Sequence, residues 1–235
     1  MKKPLVIAGA VASAAMLSAL ATLPAAGSTT PSAIALLVSA NKDALAGGAV
    51  HEVAKVSLGS RASNEVNDVG TDEGHQVISL SNGATTAVLA FESLKVAYTE
   101  GNKLGLETYF GFPAADATIY AQKWMKITPT SAAWNAVTTA TTLQSDFTFL
   151  LHVKSPIVSA HVSTVDGQRV FKVSGHLPAS GKTPAATVVL YLSDGAKPLP
   201  VQMTQSIPNG HLLVNWTKWG QPLHLSQPAH SVPLP

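Results

Sequence analysis

Residues 157–220 read IVSAHVSTVDGQRVFKVSGHLPASGKTPAATVVLYLSDGAKPLPVQMTQSIPNGHLLVNWTKWG. Apolar side chains recur at every second position through much of this stretch. Leu212, Val214 and Trp216 alternate with His211, Leu213, Asn215 and Thr217. Val158, Ala160 and Val162 alternate with Ser159, His161 and Ser163, and Phe171 and Val173 with Val170, Lys172 and Ser174. Residues 199–205 do the same. A period of two marks a strand with one greasy and one wet face. Asp166-Gly167, Asp194-Gly195 and Asn209-Gly210 punctuate the runs. Such pairs tolerate the positive φ angles of a tight hairpin turn. The stretch predicts five successive strands in an antiparallel meander, whose greasy face must be covered. That face is expected to hold Val188, Leu190, Leu192, Leu199, Val201, Met203, Leu212, Val214 and Trp216.

Upstream, residues 31–46 predict a helix, capped by Thr30, opened by Pro31 and ended by Gly47-Gly48. Ile34, Leu37, Val38 and Leu45 fall near one face of it. Strand patterns follow over 49–58, 61–69, 76–80, 86–91 and 94–99. The first carries Val50, Ala54, Val56 and Leu58 on one side, and the last carries Leu94, Val96 and Tyr98. Asn82-Gly83 reads as a further hairpin turn. Helices are predicted over 102–112, 113–120 and 143–153, and a short strand over 124–127. Residues 131–142 carry no assignable pattern. The proline-rich residues 227–235 are expected to be extended with a loose tip. The order predicts an α+β fold: a strongly curved antiparallel sheet of about ten strands wrapped over a few helices.

Composition bounds the chemistry. The 235 residues contain no cysteine, so thiol catalysis and disulfide-linked partners are excluded. Residues 1–27 read as a secretory signal peptide: Lys2 and Lys3, an apolar run from Pro4 to Leu23, then small residues at Ala25 and Gly27. The run is about long enough to span a bilayer, so an uncleaved anchor is the alternative. The formal net charge is +2, from 15 Lys and Arg against 13 Asp and Glu. Removal of Lys2 and Lys3 leaves 13 of each, and a neutral chain has no electrostatic pull on nucleic acid. Residues 28–235 are expected to form one domain with the proline-rich tail.

Several short motifs occur together: Gly47-Gly48-Ala49-Val50-His51, Tyr98-Thr99-Glu100-Gly101-Asn102, Tyr120-Ala121-Gln122-Lys123-Trp124, Leu190-Tyr191-Leu192, Leu199-Pro200-Val201 and Trp219-Gly220-Gln221-Pro222. With the preceding helix, this pattern resembles the LppX/LprG-type family of actinobacterial cell-envelope lipoproteins and their secreted relatives, which are similar to the LolA-type carriers. The resemblance implies an open half-barrel, with an apolar cavity between sheet and helices that takes up acylated lipids. It implies a lipid or acylated glycolipid as partner. One departure is plain: Ser28 stands where the lipid-bearing cysteine of the family would be, so this chain is not lipidated by that route. The nine inward residues come from the alternation above and are not carried over from the family.

No catalytic constellation emerges. The eight histidines include no H-E-x-x-H and no helical i, i+4 pair, so no metal site is expected. Ser39-Ala40-Asn41-Lys42 lacks the companion motifs of a penicillin-binding enzyme, and Gly181-Lys182-Thr183 lacks the first glycine of a phosphate loop. The carboxylates Asp116, Asp146, Asp166 and Asp194 read as single, and no paired-acid site is expected. The chain is expected not to be an enzyme and to need no cofactor. Aromatics make up only 6% of it, so few large side chains are available to fill the space under the sheet. The reading is a secreted envelope protein that shelters acyl chains against the nine inward residues. The alternative is a structural or sensory envelope module with a filled core, acting through an envelope protein partner.

Overall fold

The computed structural model describes residues 31–139, 141–159, 163–180 and 184–234. The signal segment over 1–27, the alternation at Ala160, His161 and Val162, and Gly181-Lys182-Thr183 lie outside the described residues. The elements run α1 (Ala33–Leu45), β1 (Ala49–Leu58), β2 (Arg61–Gly70), β3 (Glu73–Leu80), β4 (Thr85–Phe91), β5 (Val96–Gly101), α2 (Lys103–Tyr109), α3 (Ala114–Tyr120) and β6 (Met125–Ile127). Then come α4 (Trp134–Thr138), α5 (Leu143–Phe147), a 3-10 turn (Thr148–His152), β7 (Lys154–Val158), β8 (Ser163–Val165), β9 (Gln168–Leu177), β10 (Ala186–Ser193), β11 (Pro200–Ile207), β12 (Gly210–Thr217) and β13 (Val232–Pro233).

The thirteen strands among the described residues form one sheet, in the order β13-β6-β5-β4-β3-β2-β1-β12-β11-β10-β9-β7, with β8 beside β9. The fold is α+β, an open half-barrel with more strands than the ten expected. Two meanders, β1–β6 and β9–β12, are joined where β1 pairs antiparallel with β12, Glu52 opposite Trp216. Pairing is antiparallel except at the edge, where β13 runs parallel to β6. The helices cover the inner face in two groups. α1, α5 and the 3-10 turn pack over β1 and β9–β12, and α2, α3 and α4 pack over β4–β6.

Local chemistry sets the boundaries, in places against expectation. Ser32, not Thr30, caps α1, its hydroxyl accepting from the Ala35 N–H at 3.1 Å. The helix therefore starts two residues late, and its buried stripe is Leu36, Leu37, Ala40 and Ala44. Ile34, expected on the packed face, is 66% exposed, and Val38 is exposed with it. Asp166 and Gly167 both take positive φ, as a type I′ turn requires. The β11–β12 turn is instead Pro208-Asn209, with Asn209 left-handed and Gly210 already paired to Ile207 in the ladder. Proline before a left-handed residue is the type II arrangement. Asp194-Gly195 is no tight turn: residues 194–199 form a loop tied by Ser193, whose Oγ accepts from the Leu199 N–H at 2.8 Å. Leu94, expected inside a strand, lies in the exposed turn before left-handed Lys95.

The proline-rich tail is extended, as expected, and its described residues are tied to the sheet. The Gly220 N–H donates to the Ala49 carbonyl, and the chain then crosses the outer face of β4 and β5. There Leu225 packs on Phe91, Val96 and Tyr98, and the Tyr98 hydroxyl donates to Gln227 Oε1 at 2.6 Å. The tail ends as β13, covering the otherwise unpaired edge of β6. Ending the chain after Pro222 uncovers these aromatics. The expected result is a loss of about 3 kcal/mol in urea unfolding and stronger binding of a dye specific for exposed apolar surface.

Candidate functional site

Strand registry divides the inner face into an oily half and a polar half. One cross-strand row runs Val173, Leu190, Met203, Val214, Ala54, Glu65, Ile78 and Thr86. The next runs Trp216, Glu52, Asn67, Gln76, Val88 and Thr99. From β9 to β12 the inward positions are mostly apolar, Gln205 between Val188 and Leu212 being the polar exception in register. From β1 onward, carboxylates, amides and hydroxyls enter.

Of the nine residues predicted to line the face, Val188, Leu190, Leu192, Met203, Val214 and Trp216 are buried in one cluster, and Leu212 packs against it half-buried. Leu199 and Val201 fall outside that cluster. Leu199 closes the β10–β11 loop on Ser193. Val201 sits where the register slips, Tyr191 pairing with Gln202 but Leu192 with Pro200. The extra residue of a bulge is unpaired, and its side chain leaves the regular alternation.

Aromatic rings from the cover lie on this oily half. Phe147, at the end of α5, packs its ring 5.5 Å from Trp216 and 5.2 Å from Trp219. Phe149 stacks on Trp216 at 6.5 Å. The Trp219 indole N–H donates to the Pro200 carbonyl at 3.0 Å and holds the ring at the end of the sheet. The space between the oily strands and the cover is thus occupied by side chains. Two pockets, of about 670 and 480 Å³, lie elsewhere. The larger is a groove at the ends of β7, β9, β10 and β11, with Lys154, His176, Thr187 and Ser206 along it. The smaller lies between Trp124 and the tail.

A pair of acids joins cover to sheet, contrary to the expectation that Asp146 stands alone. Glu52, 6% exposed, points inward from β1. Its Oε1 accepts from Asn67 Nδ2 at 2.7 Å and its Oε2 from the Trp216 indole N–H at 2.8 Å. Asp146 of α5 comes within hydrogen-bond reach of both Glu52 and Trp216. Burial pushes both carboxyls up, and the charge of Glu52 pushes Asp146 further, well above the usual carboxylate range. Two such groups out of water cannot both ionise. The two N–H donors to Glu52 oppose its rise, so Asp146 is the group held further above the ordinary carboxylate range. Next along the sheet, burial and the charge of Glu52 also raise Glu65, and burial together with Glu65 pushes the Tyr109 hydroxyl up to about 12.

The sequence carried one signal of this pair. Glu52 occupies an inward position of β1 between Val50 and Ala54, where an alternating strand should place another apolar residue. Nothing local marks Asp146, because its partner is 94 positions away and the contact is made only by the fold.

On the outer face, His51 Nδ1 lies 2.7 Å from Asp68 Oδ1, and His75 Nδ1 lies 4.0 Å from Asp68 Oδ2. Burial lowers the His75 pKa, with Asp68 partly opposing it. Among the described residues no group of three or more His, Asp or Glu is arranged to hold a metal ion. Among them, too, no helix is long and apolar enough to cross a membrane.

No protein-family model matches the chain, and no curated protein matches it in sequence. Solved structures do match. LprF from Mycobacterium bovis is similar over 87% of this chain and all of its own, at 18% identity and a TM-score of 0.56. The Mycobacterium tuberculosis lipoprotein LppX is similar over 82% of this chain and 98% of its own, at 14% identity and a TM-score of 0.51. The chain has the fold of these mycobacterial proteins, as the resemblance of its sequence to their family implied.

Proposed function

We propose that this chain is a secreted cell-envelope binding protein that shelters the acyl chains of a lipid or lipoglycan against the oily half of its inner face. The observation that carries the proposal is the division of that face. Four adjacent strands turn mostly apolar residues inward, with Gln205 the polar exception, and what covers them is α1 and two helical pieces of five residues each. Helices this short hold little stability of their own and depend on their packing. An acyl chain that displaces Phe147 and Phe149 finds Leu190, Met203, Val214 and Trp216 beneath. Likeness to a lipoprotein of the same fold supports the assignment, as do the balanced charges of residues 28–235 and the signal pattern over residues 1–27. No catalytic role is assigned to any residue.

The test is mass spectrometry of lipids that co-purify with the chain from a mycobacterial host, joined to uptake of a fluorescent fatty acid. Bound acyl lipid with saturable uptake is the expected outcome. A clean chain without uptake overturns the proposal and leaves a second reading. In that reading the half-barrel is a filled envelope module that acts through a protein partner. The packed Phe147, Phe149 and Trp216 favour it, as does the exposure of Ile34, Val38, Leu151 and Ile157 around α1 and β7. Crosslinking in the native envelope would then return a protein partner.

A further inference from the structure

We propose that Glu52 and Asp146 form a proton-held latch that fastens α5 and the following 3-10 turn to the sheet and releases them as pH rises. The latch rests on how the two side chains meet between floor and cover, together with the raised carboxyls; its role in gating acyl chains rests on the binding proposed above.

Glu52 belongs to the floor, in register with Trp216 and Asn67 on the strands either side. Asp146 belongs to the cover, directly before Phe147, the residue whose ring closes over Trp216 and Trp219. The one proton between the carboxyls therefore ties the two layers at the point where the oily face is shut. Asn67 Oδ1 and Asp146 Oδ2 are buried without a hydrogen-bond partner in this arrangement. Buried unpaired acceptors cost free energy that water would recover on opening. They lower the cost of opening at this point of the cover.

The charged surroundings do not replace the proton. On β2, Glu65 is itself raised by burial and by the charge of Glu52, and it supplies no positive charge. His51 acts from the other side of β1 and favours the charge on Glu52. β12 contributes only the neutral Trp216. α1 and the 3-10 turn bring Lys42, Asp43 and His152, none of which acts on the pair. Loss of the proton leaves two buried carboxylates face to face with one indole N–H and one amide between them.

The direction follows from linkage. Closed, the pair holds a proton that the open, solvated carboxyls release at the ordinary carboxylate pKa. Between that value and the raised one, the closed state binds more protons than the open state. Closure therefore weakens as pH climbs through the window, by up to about tenfold per pH unit for one proton.

Hydrogen exchange of residues 143–152, corrected for intrinsic rates, tests this at pH 5 and pH 8 in the full chain, in Asp146→Asn and in Glu52→Gln. The expected result is at least tenfold more frequent opening at pH 8 in the parent chain. Asp146→Asn keeps a neutral donor to Glu52, so its gap should shrink below twofold. A parent gap below twofold overturns the latch, as does a full gap in Asp146→Asn. The parent gap decides the matter alone should a variant not fold. Uptake of a fluorescent fatty acid is followed in the same samples. A full exchange gap with no uptake at either pH sinks the acyl-binding proposal and leaves the latch standing.

Discussion

Phe147→Ala should lower the stability of the chain by about 3–5 kcal/mol and, at the same time, raise its uptake of a fatty acid probe. Phe147 is fully buried and touches both Trp216 and Trp219. Its removal deletes a large apolar contact and leaves a hollow that the surroundings fill only in part. In an ordinary core that is loss alone. Here the hollow opens onto the face that Leu190, Met203 and Val214 line, so the same change makes room for a ligand. Urea unfolding reads the first effect and saturable probe fluorescence the second. The pair of results separates the two functional readings. A filled module loses stability and gains no binding, whereas a carrier loses stability and gains it. A milder change, Phe147→Leu, should fall between the two on both measurements.

Gly74→Ala should cost about 3 kcal/mol although it adds a single methyl group. A Cβ at Gly74 would stand 2.0 Å from the Thr141 carbonyl oxygen and 2.8 Å from its carbon. Those are backbone atoms of a buried residue, and no side-chain rotation relieves the clash. Thr141 also leads directly into the cap of α5, where the Thr142 hydroxyl accepts from the Ser145 N–H. Pushing it outward lifts the start of α5 and draws Asp146 away from Glu52. The variant should therefore lose stability and speed hydrogen exchange over 143–152 together. Gly195→Ala is the control: nothing lies within 4 Å of its Cβ position and its φ is not positive, so its stability should stay within about 0.5 kcal/mol.

Much of this architecture is legible in the order of the residues alone, and the reasons are physical. β12 is legible because Leu212, Val214 and Trp216 repeat at period two against polar neighbours, and a half-buried strand imposes that pattern. The Asp166-Gly167 turn is legible because few residue pairs tolerate two positive φ angles. The errors have causes of the same kind. Val201 fits the alternation yet sits at a register slip, and a bulge leaves no mark that alternation can reveal. Asn209-Gly210 suggests a type I′ turn, but Pro208 shifts the turn by one residue and leaves Gly210 in the ladder. The tail lacks periodicity, so its strap over Phe91, Val96 and Tyr98 is visible only once those side chains face outward. Rings are few in the chain, but the fold brings Phe147, Phe149, Trp216 and Trp219 to one place, where scarcity no longer leaves space. The acid pair joins a strand to a helix 94 positions away, and only the pairing of β1 with β12 under α5 brings it together.

The central claim is that acyl chains seat between the oily strands and the cover. A photoreactive fatty acid, loaded at pH 8 and crosslinked by light, tests it most directly when the labelled peptides are sequenced. Label concentrated on residues 186–193, 200–207 and 210–217, with Phe147 and Phe149 on the facing segment, is the predicted result. Label spread over the outer face, or confined to the groove beside Lys154 and His176, would contradict it.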